Sequence, residues 1–126
     1  MDNSIEGTKL DHVLWMGGSP CSGKSSISRL LEQRYALQVY HVDDALREHH
    51  LGRLTPSRYP VLHRWHTMPW DELWIQSQDR LFSEVIAAYS EHFELILEDL
   101  LSMPRAVTIL AEGTAILPNL VWSLHP

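Results

Sequence analysis

Cysteine is scarce in this chain, and long apolar runs are absent. Cys21 is the only cysteine among 126 residues, so no disulfide forms within the chain and a reducing compartment is the simplest expectation. No stretch approaches the ~20 apolar residues that span a bilayer. The first residues are acidic, unlike the basic start of a secretory signal. These absences predict a cytoplasmic protein that has no membrane partner.

Lysine is also scarce, and acidic residues dominate the charge. Lys9 and Lys24 are the only lysines, and the formal net charge is −6 at pH 7. An acidic protein repels a polyphosphate backbone, so nucleic acid is not an expected partner. A single anionic ligand is still compatible with this charge, because backbone N–H groups, one lysine and a metal ion can hold it locally.

The most specific motif lies near the N-terminus. Residues 18–25 read Gly-Ser-Pro-Cys-Ser-Gly-Lys-Ser and match G-x-x-x-x-G-K-[ST], the phosphate-binding loop. The apolar residues 13–16 predict a buried strand before it, and a helical apolar period follows it. In that context the loop presents backbone N–H groups and a helix N-terminus to a phosphate. The residues expected to bind the nucleotide are Gly18, Ser19, Pro20, Cys21, Ser22, Gly23, Lys24, Ser25 and Ser26.

Two side chains of the loop suit a nucleoside triphosphate and its metal. Lys24 is expected to reach the β- and γ-phosphates, and Ser25 to offer its hydroxyl to Mg²⁺. Cys21 is expected to serve as a small residue of the loop and not as a reactive thiol. The sequence therefore predicts ATP and Mg²⁺ as cofactors, although these residues do not separate ATP from GTP.

The remaining chain predicts one α/β domain over residues 1–126, with residues 1–11 as a loose tail. A first helix is predicted over residues 25–37, a second strand over 38–42 and a short helix over 45–50. Residues 52–68 predict a loop or a broken helix. A long helical region, either one kinked helix or two, is expected from Pro69 to Pro104, before a third strand over 106–111. In the first helix, Ile27, Leu30, Leu31 and Tyr35 share one face and are expected to pack on the sheet.

Carboxylates follow the second and third strands, at the edge where parallel strands form a ligand crevice. Asp43 is a candidate for orienting an attacking hydroxyl, and capping of the following helix is an equally favoured role. Asp44 is expected to take the role that Asp43 leaves. Glu112 is a candidate catalytic residue that also anchors the metal, the alternative being a carboxylate that bonds nearby backbone.

Arginine and histidine are concentrated between the second strand and the long helical region. Arg47 and Arg53 are candidates for binding the substrate, together with Arg58 and Arg64, although each alone is more typical of a solvated surface. The histidines of this segment have no cysteine nearby, so lining an acceptor pocket is favoured over binding a metal. They are His49, His50, His63 and His66.

Three pieces together, residues 17–26, Val42-Asp43-Asp44 and residues 110–113 (Leu-Ala-Glu-Gly), resemble the P-loop kinases that act on nucleosides, nucleotides and small molecules. The resemblance covers residues 12–114. It implies a three-layer P-loop NTPase-like α/β fold, a parallel sheet flanked by helices, with MgATP on the loop and a small acceptor over the carboxyl ends of the strands.

Family members usually continue to a fourth strand, an arginine-bearing lid and a fifth strand, for which this sequence has no visible counterpart. The family's usual strand order, with the third strand between the other two, would then leave the first strand at an open sheet edge, where self-association or a completing partner is expected.

The leading hypothesis is an ATP- and Mg²⁺-dependent kinase that phosphorylates a hydroxyl of a small molecule. One alternative is a truncated or partner-dependent nucleotide-binding module without transfer activity. The other is an NTPase switch, which is less favoured because glutamate and not aspartate closes the third strand. No pattern in the sequence specifies the acceptor.

Overall fold

The computed structural model describes residues 9–19 and 22–124, and for Trp70 the backbone alone. It is a mixed α/β arrangement in which helices flank a small parallel sheet. Among these residues no helix is long and apolar enough to cross a membrane. The elements in chain order are β1 (Val13–Met16), α1 (Lys24–Arg34), β2 (Leu37–His41), α2 (Val42–Ala45), α3 (Pro60–Thr67), α4 (Trp70–Trp74), α5 (Gln78–Ser102), β3 (Thr108–Glu112) and α6 (Pro118–Trp122).

The described strands form one three-stranded parallel sheet in the order β1-β3-β2. In its register Leu110 lies between Leu14 and Val39. The parallel pairing and the central position of the third strand confirm the sequence prediction. Strand β1 consequently lies at a sheet edge, where the side chain of Leu14 is 52% exposed.

The main core lies between one face of the sheet and α5. Neighbours across a parallel ladder share a face, so Val13 and Ile109 project together. They pack with Phe93, Ile96 and Leu100, which recur along α5 at three- and four-residue spacing. Leu10 belongs to the same core. The tail predicted for residues 1–11 therefore does not include Leu10, while its residues 1–8 lie outside the described part of the chain.

Helix α1 does not pack as its apolar period predicts. Ile27, Leu30 and Tyr35 are between 48% and 60% exposed, and the buried side chain of the helix is Ser28, which donates to the carbonyl of Ser25 at 2.9 Å. The helix begins at Lys24, within the phosphate-loop motif, so we attribute its rotation to that loop and not to its apolar residues. The apolar side chains of Ile27, Leu30 and Tyr35 therefore form an exposed apolar surface on α1.

The segment predicted as a loop or broken helix is more ordered than expected. Helix α2 runs on into a π-helical turn over Leu46–His50 and a 3₁₀ turn over Leu51–Arg53, and α3 occupies part of the remainder. The start of α3 is capped from outside, because the Glu91 carboxylate of α5 accepts the Val61 and Leu62 N–H groups at 3.1 and 2.9 Å.

The long helical region after Pro69 is two helices, α4 and α5, and not one continuous helix. Ser77 begins α5 by accepting the N–H of Arg80 on its hydroxyl at 3.3 Å.

A buried polar network ties the 42–53 segment to α5. His50 is fully buried; its Nδ1 lies 2.9 Å from Nε2 of His92 and its Nε2 lies 2.6 Å from the Asp99 carboxylate. Tyr40 donates to the same carboxylate at 2.6 Å, and Arg53 donates at 3.0 Å. Burial acts to raise the pKa of Asp99, but hydrogen bonds from Tyr40, His50 and Arg53 hold it below its usual value. The network fixes the segment that carries Asp43 and Asp44.

His92 is expected to make the protein less stable in acid. Burial, with the nearby charges of His50 and His66, lowers the pKa of His92 to about 4, against an opposing effect of Asp99. As the pH falls from 6.5 toward 4, His92 becomes protonated in the unfolded chain but stays neutral in the folded chain. Protonation therefore favours unfolding, and stability is lost in that window. Between pH 7 and pH 5 we expect a loss of about 2 kcal/mol in urea unfolding that His92→Gln removes. An unchanged pH dependence in His92→Gln, relative to the exposed control His49→Gln, would contradict this account.

Candidate functional site

The phosphate-loop motif connects β1 to α1. Gly23 is the N-cap residue of α1 at φ 93° and ψ 7°, a left-handed conformation that favours glycine. Lys24 folds back so that its Nζ donates to the carbonyl of Ser19 at 3.1 Å. The ammonium group of Lys24 therefore lies across the loop, next to Ser19. Pro20 and Cys21 lie outside the described residues, so their predicted contacts with nucleotide stay predictions.

A polar cavity of about 240 Å³ opens beside the loop. It brings together four residues that the sequence placed in the catalytic and metal site, namely Ser25, Asp43, Asp44 and Glu112, and adds Arg47 from the predicted substrate set. Arg29 and His41 complete its lining. Neither was predicted from the sequence, although position 29 is one helical turn from Ser25 and His41 pairs with Glu112 in the parallel register.

Glu112 is the buried acid of this cavity. Its Oε1 lies 2.9 Å from Nδ1 of His41, and its Oε2 is buried without a hydrogen-bond partner among the described residues. An unpaired buried carboxylate oxygen is costly. The unpaired Oε2 of Glu112 therefore suits a ligand that would supply its missing polar partner. The described hydrogen bond of Glu112 goes to a side chain, which does not match the alternative role of bonding strand-end backbone.

The donor set at Glu112 fits Mg²⁺. Magnesium takes oxygen ligands, keeps several waters and binds through one or two protein groups plus phosphate oxygens. Ser25 and Glu112 line one cavity and provide a hydroxyl and a carboxylate there. Within the described residues no group of three or more histidine, cysteine or acidic side chains is arranged to hold a metal by itself. A metal held here would depend on the nucleotide.

The two aspartates occupy the first turn of α2, whose N-cap residue is His41. Asp43 therefore does not cap a helix that starts after it, which was its alternative role. Asp44 forms an ion pair with Arg47, while Asp43 is exposed. Burial raises the pKa of Tyr89, and the negative charge of Asp43 raises it further. The charge of Asp43 therefore affects Tyr89 of α5, and α5 packs on the sheet face opposite Glu112.

The predicted arginines separate into two groups. Arg47 lines the polar cavity. Arg53 pairs with Glu98 and Asp99 of α5 instead, and the structure does not bring it to this cavity. Arg58 and Arg64 are likewise paired with glutamates of α5.

A second, larger cavity of about 650 Å³ starts at the same loop. Trp15 lines it from the sheet face opposite Glu112, because the partner of Trp15 in the register is Ala111. The rest of its lining comes from the loop, from Tyr89 of α5, and from residues 114–122. The lining residues are Trp15, Gly17, Gly18, Ser19, Tyr89, Thr114, Ile116, Leu117, Pro118, Val121 and Trp122.

No protein-family model matches this sequence, and no curated protein or solved structure matches it. Function must therefore be inferred from the motif and from the two cavities beside it.

Proposed function

We propose that this protein is an ATP- and Mg²⁺-dependent phosphotransferase of the P-loop NTPase type that phosphorylates a hydroxyl of a small molecule. The observation that carries the proposal is the polar cavity, which collects Ser25, Asp43, Asp44 and Glu112 beside the loop. A parallel sheet with its third strand in the centre supports the fold part of the proposal.

Phosphoryl transfer depends on positioning and on charge stabilisation, and each residue of the site has a role in one of them. The loop N–H groups and Lys24 hold the phosphates. Ser25 and Glu112 would hold Mg²⁺, which when bound neutralises charge on the phosphates. Arg47 supplies positive charge at the cavity.

Asp43 orients the acceptor hydroxyl and receives its proton, which then passes to solvent. The acceptor oxygen bonds to the γ-phosphorus as the bond from phosphorus to the bridging oxygen of ADP breaks. The products are a phosphomonoester, ADP and a proton.

An open sheet edge favours a second candidate, a nucleotide-binding module that works only with a partner. Strand β1 has no neighbour on its outer side among the described residues, and Leu14 is exposed there. An uncovered edge is a site for pairing with another chain. In this case the loop would bind nucleotide, and transfer would await the partner.

Transfer of radioactive phosphate from γ-labelled ATP to hydroxyl compounds tests the proposal. We expect ADP formation to rise when an acceptor is present and label to appear in an acid-stable phosphomonoester. Hydrolysis at the same rate with and without every acceptor would favour an NTPase. Binding without turnover would favour the partner-dependent module.

Glu112→Gln is expected to lower the affinity of the site for Mg²⁺ selectively. Removing the charge of the buried carboxylate should raise the Mg²⁺ concentration for half-maximal ATP binding by about 10-fold or more. Binding of metal-free ATP should be unchanged, because the loop and Lys24 are intact. Titration of Mg²⁺ at fixed ATP measures the shift. The exposed Glu48→Gln is the matched control, and an equal shift in both variants would contradict the role of Glu112.

A further inference from the structure

We infer that the apolar cavity beside the loop is the acceptor site, and that the acceptor is a neutral alcohol with an aromatic or aliphatic body. This inference rests on the proposed function and names its substrate class. The volume of the cavity, about 650 Å³, lies within the range of small-molecule pockets.

The composition of the walls selects an apolar ligand. Trp15, Tyr89 and Trp122 provide aromatic surface, and Leu117 and Val121 provide aliphatic surface. Aromatic walls favour stacking against a ring and burial of hydrocarbon. A ligand composed mainly of polar groups would lose water here without replacing its hydrogen bonds.

The absence of charge in the lining selects a neutral ligand. Among the described residues that line the cavity, none is lysine, arginine, histidine, aspartate or glutamate. An anionic acceptor would bury its charge unpaired, which costs several kcal/mol. Sugar phosphates, nucleotides and carboxylates are therefore disfavoured as acceptors in this cavity.

The polar groups of the cavity lie where a hydroxyl must meet the phosphate. Gly18 and Ser19 belong to the loop itself, and Thr114 follows Glu112 by two residues. Tyr89 lines the cavity and feels the charge of Asp43. An alcohol with its body between α5 and α6 would thus direct its hydroxyl toward the loop.

A nucleobase suits this cavity less well than an alcohol body. The wall formed by residues 117–122 contributes Leu117, Pro118, Val121 and Trp122. A purine carries ring nitrogens and an amino or carbonyl group that need partners when buried. Those side chains offer only the indole N–H, whereas a hydrocarbon body needs none.

Binding of 2-(2-naphthyl)ethanol to the full chain tests the inference without relying on turnover. We expect saturable binding by calorimetry in the absence of nucleotide, with 2-naphthylacetate, its carboxylate counterpart, at least about 10-fold weaker. Trp122→Ala should weaken binding of the alcohol about 5-fold or more. Val121→Trp, which fills the cavity, should weaken it further. Phe82→Ala is the control, because Phe82 is an aromatic residue outside this cavity that is 69% exposed, against 79% for Trp122.

The outcomes separate this inference from the proposed function. Alcohol binding that the cavity variants weaken, without phosphate transfer from MgATP, would keep the neutral apolar site and reject the kinase. Transfer to a charged acceptor at a rate that Trp122→Ala and Val121→Trp leave unchanged would keep the kinase and overturn this inference. Competition between metal-free ATP and the alcohol would assign the cavity to the nucleobase of ATP and overturn this inference. Self-association that Trp122→Ala abolishes would assign the cavity to a second copy and also overturn it.

Discussion

Replacing Lys24 by alanine is expected to weaken ATP binding by about 100-fold or more, while the chain remains folded. A cation that meets phosphate oxygens in a desolvated site contributes about 2–5 kcal/mol to binding, which corresponds to this loss of affinity. The described hydrogen bond of Lys24 goes to the carbonyl of Ser19 on the exposed loop, so its removal should change stability little. Titration with a fluorescent ATP analogue measures the affinity, and circular dichroism measures the fold.

Lys9→Ala is a matched control, because Lys9 is the only other lysine of the chain and is exposed. Both variants change the net charge equally, so a general electrostatic effect would weaken nucleotide binding in both. We expect the loss only at Lys24. Wild-type affinity in Lys24→Ala would remove the loop from the account of nucleotide binding.

Replacing Asp99 by alanine is expected to lower the free energy of unfolding by about 3 kcal/mol or more. The variant leaves the Tyr40 hydroxyl and the Nε2–H of fully buried His50 without their acceptor. Each buried donor that loses its partner costs about 1–3 kcal/mol, and Arg53 loses one of its two acidic partners as well. Urea unfolding at pH 7 measures the change, and a variant too unstable to purify folded agrees with the prediction.

Glu98→Ala separates the network from surface charge. Glu98 is the neighbour of Asp99 and pairs with Arg53 and Arg58 at the surface. Exposed ion pairs contribute about 0–1 kcal/mol, so this variant should remain close to wild type. Equal destabilisation by Glu98→Ala and Asp99→Ala would mean that the buried network contributes nothing beyond an ordinary surface pair.

The sheet and most of the polar cavity were predictable from the sequence because their signals are local. Short apolar runs ending in Asp43 and Glu112 give the strands and the residues at their carboxyl ends. Parallel pairing then brings those ends together, as the register of His41 beside Glu112 confirms. The resemblance supplied the central position of β3. Sequence reasoning missed His41 because a single histidine at a strand end carries no pattern.

The features that the sequence did not predict depend on contacts between distant segments. Helix α3 has Pro60 at its first position as a local start signal, but its N-cap residue Tyr59 provides no side-chain cap, and the cap comes from Glu91, about thirty positions later in the chain. His50 was considered only as a metal ligand or pocket residue, whereas His92 and Asp99 on α5 make it part of a buried network. The stripe of Ile27 and Leu30 indicated a buried face, but α1 presents Ser28 to the interior.

Calorimetric titration of the full chain with ATP, with and without Mg²⁺, tests the central claim most directly. We predict one nucleotide bound per chain, with an affinity that Mg²⁺ strengthens by about 10-fold or more. Ser25→Ala should abolish that gain and retain the metal-free binding. Absence of any binding at millimolar MgATP, by a chain that unfolds cooperatively on heating, would contradict the claim that this loop and cavity form a nucleotide site.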